Sequence, residues 1–402
     1  MLVTFTGLIL MALIAFVSWL NHHLLARLFQ IYRYTIVKRT YIVLGLTVAL
    51  IVGYGLTRHP AFVVPEHNIY QLLIYIAIIW VLGQLILLIC QPLLYVAHRL
   101  LKGRKAAARP DATTLAAPQM TRRAFLHNAL AITPFIAFGI SSKGIYEAQA
   151  GTTIRRYSLT FPDLPPNLSG FKIGQISDTH IGPYFDLPKL ETVLNLLRQE
   201  KPDLVVITGD FVDDLNLLKS AITILDDFAP TVPYGVYFCY GNHEYFRNID
   251  FVRAELNKSR MTILNNENKL IIAGQKPFYL MGVDYPWADT ARTGINVSVK
   301  RRQQYFAAAL KNIPSDAFKV LIAHHPDFLL DAFKAQIPLT IAGHTHGGQV
   351  IVCGKSLISS YAYMYGLYQQ TDCYGYVSSG TGHWFPFRFG CPPEIAIFTF
   401  QS

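Results

Sequence analysis

Five short clusters of metal-binding residue types occur in order, and each directly follows an apolar run. They are Asp178 with His180, Gly209 with Asp210, the contiguous Gly241, Asn242, His243 and Glu244, a lone His324, and Gly343, His344 and His346. The preceding runs, residues 171–177, 203–208, 234–240, 319–323 and 338–342, are rich in Val, Ile, Leu, Phe and Tyr, so they read as buried strands. Each cluster is therefore predicted to stand where a strand stops and a loop begins. In open α/β sheets, ligands gather just beyond the carboxyl ends of strands, so residues far apart in sequence can meet in one crevice. Helical patterns at 187–200, 214–228, 250–259 and 301–312 alternate with the strands, as in layered α/β folds. An edge strand is expected within 151–166 and a last strand at 395–400.

The clusters together resemble the signature of the calcineurin-like metallophosphoesterase family, from Leu168 to the C-terminal residue. The block from Ser378 to Glu394 further resembles the tail of a bacterial membrane-associated phosphohydrolase subgroup. The resemblance implies an α/β fold, a four-layer αββα sandwich with metals at one sheet edge. It implies that Asp178, His180 and His346 hold one metal, that Asn242, His324 and His344 hold the other, and that Asp210 bridges them. His243 would be the general acid or a donor to a phosphate oxygen, with Glu244 orienting its ring. The family pattern of His, any residue, Pro and Asp selects His324 over the adjacent His325.

The chemistry of the residues points the same way. Two divalent ions about 3.5–4 Å apart clamp the attacking and leaving oxygens of an in-line displacement and acidify a water between them. Phosphoryl transfer depends mainly on positioning and charge neutralisation. Mixed imidazole, carboxylate and amide donors accommodate Mn, Fe or Zn. The expected reaction is hydrolysis of a phosphomonoester, phosphodiester or pyrophosphate bond by attack of a metal-bridging hydroxide. Arg388 has two readings: a bidentate clamp on a substrate phosphate, or a loop arginine paired with an acidic residue. His383 reads as a surface imidazole, and Asp213 and Asp214 as a solvated helix start.

The first part of the chain is of another kind. Residues 1–20, 41–56 and 69–96 are almost wholly apolar, and about 20 such residues span a bilayer. They define a transmembrane region, 1–105, ahead of a segment at 106–150 and a catalytic domain at 151–402. The 106–150 segment begins with an Ala-, Pro- and Thr-rich linker. Arg122 and Arg123 follow, then an apolar run, then Ala148, Gln149 and Ala150, which resembles a twin-arginine export signal. It is either a fourth span or an amphipathic helix at the inner surface.

Residues 1–150 carry 13 Lys and Arg against 3 Asp and Glu, and residues 151–402 carry 22 of each, so the net charge of +10 resides in the membrane part. A catalytic domain without basic excess argues against nucleic acid as partner. Arg27, Arg33, Lys38 and Arg39 separate the first two runs, and Arg99, Lys102, Arg104, Lys105 and Arg109 follow the third. The positive-inside rule makes both loops cytoplasmic. A fourth span then carries the catalytic domain out of the cytoplasm.

The expectation is a multi-pass protein of the cell inner membrane. Its partners are the lipid bilayer and a phosphorylated small molecule or lipid, and its substrate is lipid-linked or part of the cell envelope. The alternatives are an enzyme like UDP-2,3-diacylglucosamine pyrophosphatase at the cytoplasmic face and a non-catalytic metal-dependent scaffold. Five cysteines, of which Cys353, Cys373 and Cys391 could supply one disulfide, leave the redox environment open.

Overall fold

The computed structural model describes residues 2–58, 69–102, 121–273, 277–288 and 297–402. The expected linker at 106–120 and Arg104, Lys105 and Arg109 lie outside them. Two compact units result, Met1–Ile145 and Tyr146–Ser402.

The first unit is built from α1 (Leu2–Leu28), α2 (Thr35–Arg58), α3 (Ile69–Lys102), α4 (Arg122–Leu130) and α5 (Thr133–Gln149), whose last residues belong to the second unit. Among the described residues, four stretches are long and apolar enough to cross a membrane: Gly7–Leu28, Thr35–Gly55, Gln71–Leu101 and Ala124–Gln149. The second exceeds the apolar run 41–56 because Lys38 and Arg39 join the helix, and long basic side chains reach a headgroup region while their stems stay apolar. Between α4 and α5, Pro134 lacks the N–H that would bond to Leu130; the Thr133 hydroxyl donates to Leu130 O instead, at 2.7 Å. Polar side chains pin the helices from within. Asn21 Nδ2 donates to Gln84 O and Oε1, both at 2.8 Å, Gln84 Nε2 donates to Tyr41 OH at 2.9 Å, and Trp80 Nε1 donates to Ser18 Oγ at 3.1 Å. Such bonds join helices where lipid offers no hydrophobic drive.

In the second unit the strands are β1 (Thr153–Thr160), β2 (Lys172–Ile176), β3 (Leu204–Thr208), β4 (Val236–Cys239), β5 (Thr262–Ile263), β6 (Glu267–Ile271), β7 (Phe278–Gly282), β8 (Lys319–Ile322), β9 (Leu339–Ala342), a hairpin of β10 (Ile351–Val352) and β11 (Lys355–Ser356), then β12 (Gly366–Gln370), β13 (Cys373–Val377) and β14 (Glu394–Gln401). One sheet has the order β1-β14-β2-β3-β4-β5, with β2 through β5 parallel. The other has the order β12-β13-β9-β8-β7-β6, parallel from β13 to β7 and antiparallel at both edges.

The sheets face each other. Ile173, Leu204 and Val206 of the first and Leu280, Val320, Ile322, Leu339 and Ile341 of the second share one buried core. The outer face of the first sheet is covered by α6 (Leu187–Glu200), α7 (Leu218–Phe228) and, after the short α8 (Asn242–Arg247), α9 (Ile249–Leu256), through Leu190, Leu225 and Val252. Against Met281 and Leu321 of the second pack Phe306 of α10 (Val299–Leu310) and Phe328 of α11 (Phe328–Lys334). This is a four-layer αββα sandwich. Its central strands are covered on both faces, which is why they read as unbroken apolar runs rather than alternating ones.

The site motifs do not lie along a lateral sheet edge. They stand at the carboxyl ends of β2, β3, β4, β8 and β9, at one end of the sandwich. The helix expected from residue 214 begins instead at Leu218. The backbone N–H groups of Asp213 and Asp214 both donate to Ile181 O at 2.9 Å, which folds residues 211–217 back over the first motif. All five cysteines are free thiols.

Candidate metal centre

Each strand delivers its motif through a tight backbone turn. Asp178, His180, Asp210, His344 and His346 all have positive φ, between 48° and 78°. Non-glycine residues rarely take this conformation, and such strain concentrates where function over-determines the backbone. The motif glycines have a steric reason. A Cβ at Gly241 would overlap Asp210 Oδ1, and one at Gly343 would overlap Ser177 Oγ and Asp178 Oδ2.

The turns converge. His180 Nε2 and His346 Nε2 are 3.1 Å apart, with Asp178 Oδ1 3.5 Å from the latter. Beside them, His324 Nε2 lies 3.1 Å from both Asn242 Oδ1 and His344 Nδ1. Asp210 Oδ2 stands between the groups, 3.7 Å from His180 Nε2 and 3.2 Å from His324 Nε2. The seven residues expected as ligands are thus gathered in one place, in two sets joined by one carboxylate. His325 is not among them; its Nδ1 accepts from Asp327 N at 3.2 Å.

The donor set fits cations. Metal–ligand bonds of about 2.0–2.2 Å place neighbouring donors roughly 3.0–3.5 Å apart. Without a cation, protons must answer the buried carboxylates. Burial would lower the pKa of His324, yet Asp210 and Asp178 outweigh it and push it up to about 10. Against its own burial, Asp210 is held well below the carboxylate range by His324 and His243. His344 is pushed down to about 3 by burial and by His324.

Second partners orient the donors. His324 Nδ1 sits 2.7 Å from Thr208 O, so that nitrogen carries the hydrogen and Nε2 faces the site. His344 Nε2 meets Tyr361 OH at 2.9 Å, and His180 Nδ1 lies 3.3 Å from Asp213 Oδ2 without a hydrogen bond to it.

The structure departs from four of the sequence-based expectations. Glu244 does not orient His243. Its buried carboxylate accepts from the backbone N–H groups of Asp210 at 3.1 Å, Phe211 at 2.6 Å and Gly241 at 2.8 Å, and so locks two motif loops together. The partner of His243 Nδ1 is Asp213 Oδ1, at 2.7 Å, and Arg247 braces the same oxygen at 2.9 Å. Asp213 is therefore a site residue rather than a solvated helix start. Arg388 is fully buried, and among the described residues it forms no ion pair. It donates to Ser379 O at 2.5 Å, Cys391 O at 3.1 Å and Gly382 O, and it touches His346 Nδ1 at 3.0 Å. These carbonyls take up the two Nη groups of the buried guanidinium, while Nε has no hydrogen-bond partner among the described residues. His383 is buried as well, with Nε2 3.3 Å from Gln149 Nε2. Asp213 carries a sequence signal, its place three residues after Asp210; Tyr361 carries none.

Removing Glu244 strands three buried N–H groups. Glu244→Ala is expected to destabilise the second unit by about 3 kcal/mol, measured as a fall in thermal midpoint with secondary structure retained at low temperature.

The family model described as Calcineurin-like phosphoesterase matches residues 171–348, the stretch from β2 through the last histidine motif. A metallophosphoesterase of Helicobacter pylori strain J99 is 31% identical over 285 residues, covering 69% of this chain and 71% of its own length. The metallophosphoesterase YkuE of Bacillus subtilis is 28% identical over 311 residues, covering 71% of this chain and 99% of its own. A bovine transmembrane protein with a metallophosphoesterase domain is 29% identical over 295 residues, 70% of this chain and 64% of its own. With its membrane-length helices, its layered fold and its gathered His and Asp donors, the chain belongs to the calcineurin-like metallophosphoesterases, a family of metal-dependent phosphohydrolases.

Proposed function

We propose that this protein is a membrane-anchored two-metal phosphoesterase that hydrolyses a phosphomonoester, phosphodiester or pyrophosphate bond of a lipid-linked or cell-envelope substrate outside the cytoplasm. One observation carries the two-metal reading: Asp210 Oδ2 lies between the two donor groups, within 3.7 Å of His180 on one side and 3.2 Å of His324 on the other. Asp178, His180, His346 and Asp210 would hold one divalent ion, and Asn242, His324, His344 and Asp210 the other. Bound there, such ions supply Lewis-acid charge neutralisation at the phosphoryl group and acidify water. Sequence and donor set admit Mn, Fe or Zn.

The protein's own residues supply the rest. Asp213 fixes His243 through Nδ1, which leaves Nε2 to carry a proton to the departing oxygen. Burial opposes charge on His243, but Asp210 and Asp213 prevail and push its pKa up to about 9, so in the metal-free protein it is protonated at neutral pH. Arg388 and Glu244 hold the 379–382 turn and the motif loops in place.

The sidedness follows from the basic residues at the ends of the spans. With Arg27, Arg33, Lys38, Arg39 and Arg99 cytoplasmic and Ala124–Gln149 crossing as a fourth span, the second unit lies outside. A C-terminal alkaline phosphatase fusion reads this directly. Activity of that reporter is expected; a C-terminal green fluorescent protein that glows while the phosphatase fusion stays silent would put the site in the cytoplasm and favour a nucleotide-linked lipid precursor.

A further inference from the structure

Two segments beside the metal site carry exposed apolar side chains. The β10–β11 hairpin starts directly after the His346–Gly348 turn. On it and just beyond it Val352, Leu357 and Ile358 are 47%, 70% and 55% exposed. Trp384, 51% exposed, follows His383 on the loop that holds Arg388. Both segments approach the donors closely. Tyr361, which touches His344, is three residues from Ile358, a reach of at most about 11 Å.

The same two segments are tied to the end of the last membrane-length helix. Glu147 Oε2 accepts from Gly390 N at 2.6 Å, and Gly390 follows Phe389, whose carbonyl accepts from Ile351 N of the hairpin at 2.7 Å. Gln149 meets His383 at 3.3 Å and accepts from Lys189 Nζ at 3.1 Å. Tyr146, one residue before Glu147, is 74% exposed. Tyr and Trp favour the level of lipid headgroups, and exposed Lys355 at the hairpin suits anionic lipid.

We infer that Val352, Leu357, Ile358 and Trp384 form a membrane-contacting rim of the metal site, through which the phosphate group of a bilayer-embedded lipid reaches the donors. The occupant of this patch is the bilayer entered by the chain's own α5, because Glu147 and Gln149 bond to the loops that carry the rim. The inference rests on the proposed phosphoesterase activity for its substrate class, but not for the rim itself.

Cys353 lies at the hairpin tip and is an exposed thiol. In full-length Cys90→Ser protein reconstituted into phosphatidylcholine–phosphatidylglycerol vesicles, an environment-sensitive fluorophore on Cys353 is expected to be quenched at least twofold by lipids spin-labelled near the headgroup. A label with the emission of a fully aqueous dye and no quenching overturns the rim. In the same vesicles, phosphatidic acid should inhibit hydrolysis of bis-p-nitrophenyl phosphate at a concentration at least 10-fold below that of soluble glycerol phosphate. Leu357→Asp with Ile358→Asp should erase that difference and leave hydrolysis of the soluble ester within about twofold of wild type. Equal inhibition by the two phosphates in the wild type overturns lipid entry. Quenching without any turnover of the soluble ester instead overturns the catalytic reading and keeps the rim.

Discussion

Asp210→Asn is expected to lower turnover of bis-p-nitrophenyl phosphate by 10³-fold or more, a loss of about 4 kcal/mol of transition-state stabilisation. The carboxylate has two duties. Oδ2 stands between the two donor groups, and Oδ1 accepts from His243 N at 2.8 Å. An amide oxygen keeps the shape of one contact but loses the charge that both cations would share. The purified variant should also retain fewer than two metals per chain, whereas its fold should persist, because Glu244 still grips the backbone of residues 210 and 211. Near-normal turnover by this variant would remove the bridging role.

The second large effect falls on proton transfer. His243→Ala should reduce kcat by about 10²–10⁴-fold on an alkyl phosphate, whose leaving oxygen needs a proton. The loss should be much smaller on a p-nitrophenyl ester, whose leaving group departs as a stable anion. Metal content should stay at the wild-type value, since His243 is assigned no ligand duty. Asp213→Asn should reproduce part of the same loss through His243 Nδ1, and the double variant should be little worse than His243→Ala alone. Additive losses would mean that Asp213 acts by another route, such as its contact with His180.

The donor residues were legible in the sequence for a physical reason. A buried parallel strand is an uninterrupted apolar run, and its carboxyl end is the place where ligands gather, so Asp178, Asp210, Asn242, His324 and His344 announce themselves by position. Their supports were not legible, because side-chain partners are chosen by the fold. Glu244 is adjacent to His243 in the chain, yet the short helix Asn242–Arg247 turns its carboxylate onto the backbone of another loop. Asp213 looked solvated until the 211–217 segment folded over Ile181. Arg388 had an obvious charge and no visible partner, since carbonyl oxygens leave no mark in a sequence. The edge strands β6 and β12 were missed for a related reason. Half-exposed and polar, as in Glu267 and Gln369–Gln370, they hold their place by pairing with β7 and β13 rather than by an apolar pattern of their own.

Anomalous diffraction from crystals of the metal-loaded protein tests the central claim most directly. The account predicts two peaks about 3.5–4 Å apart, with Asp210 touching both, Asp178, His180 and His346 on one, and Asn242, His324 and His344 on the other. A single peak, or two peaks that do not share Asp210, would contradict it.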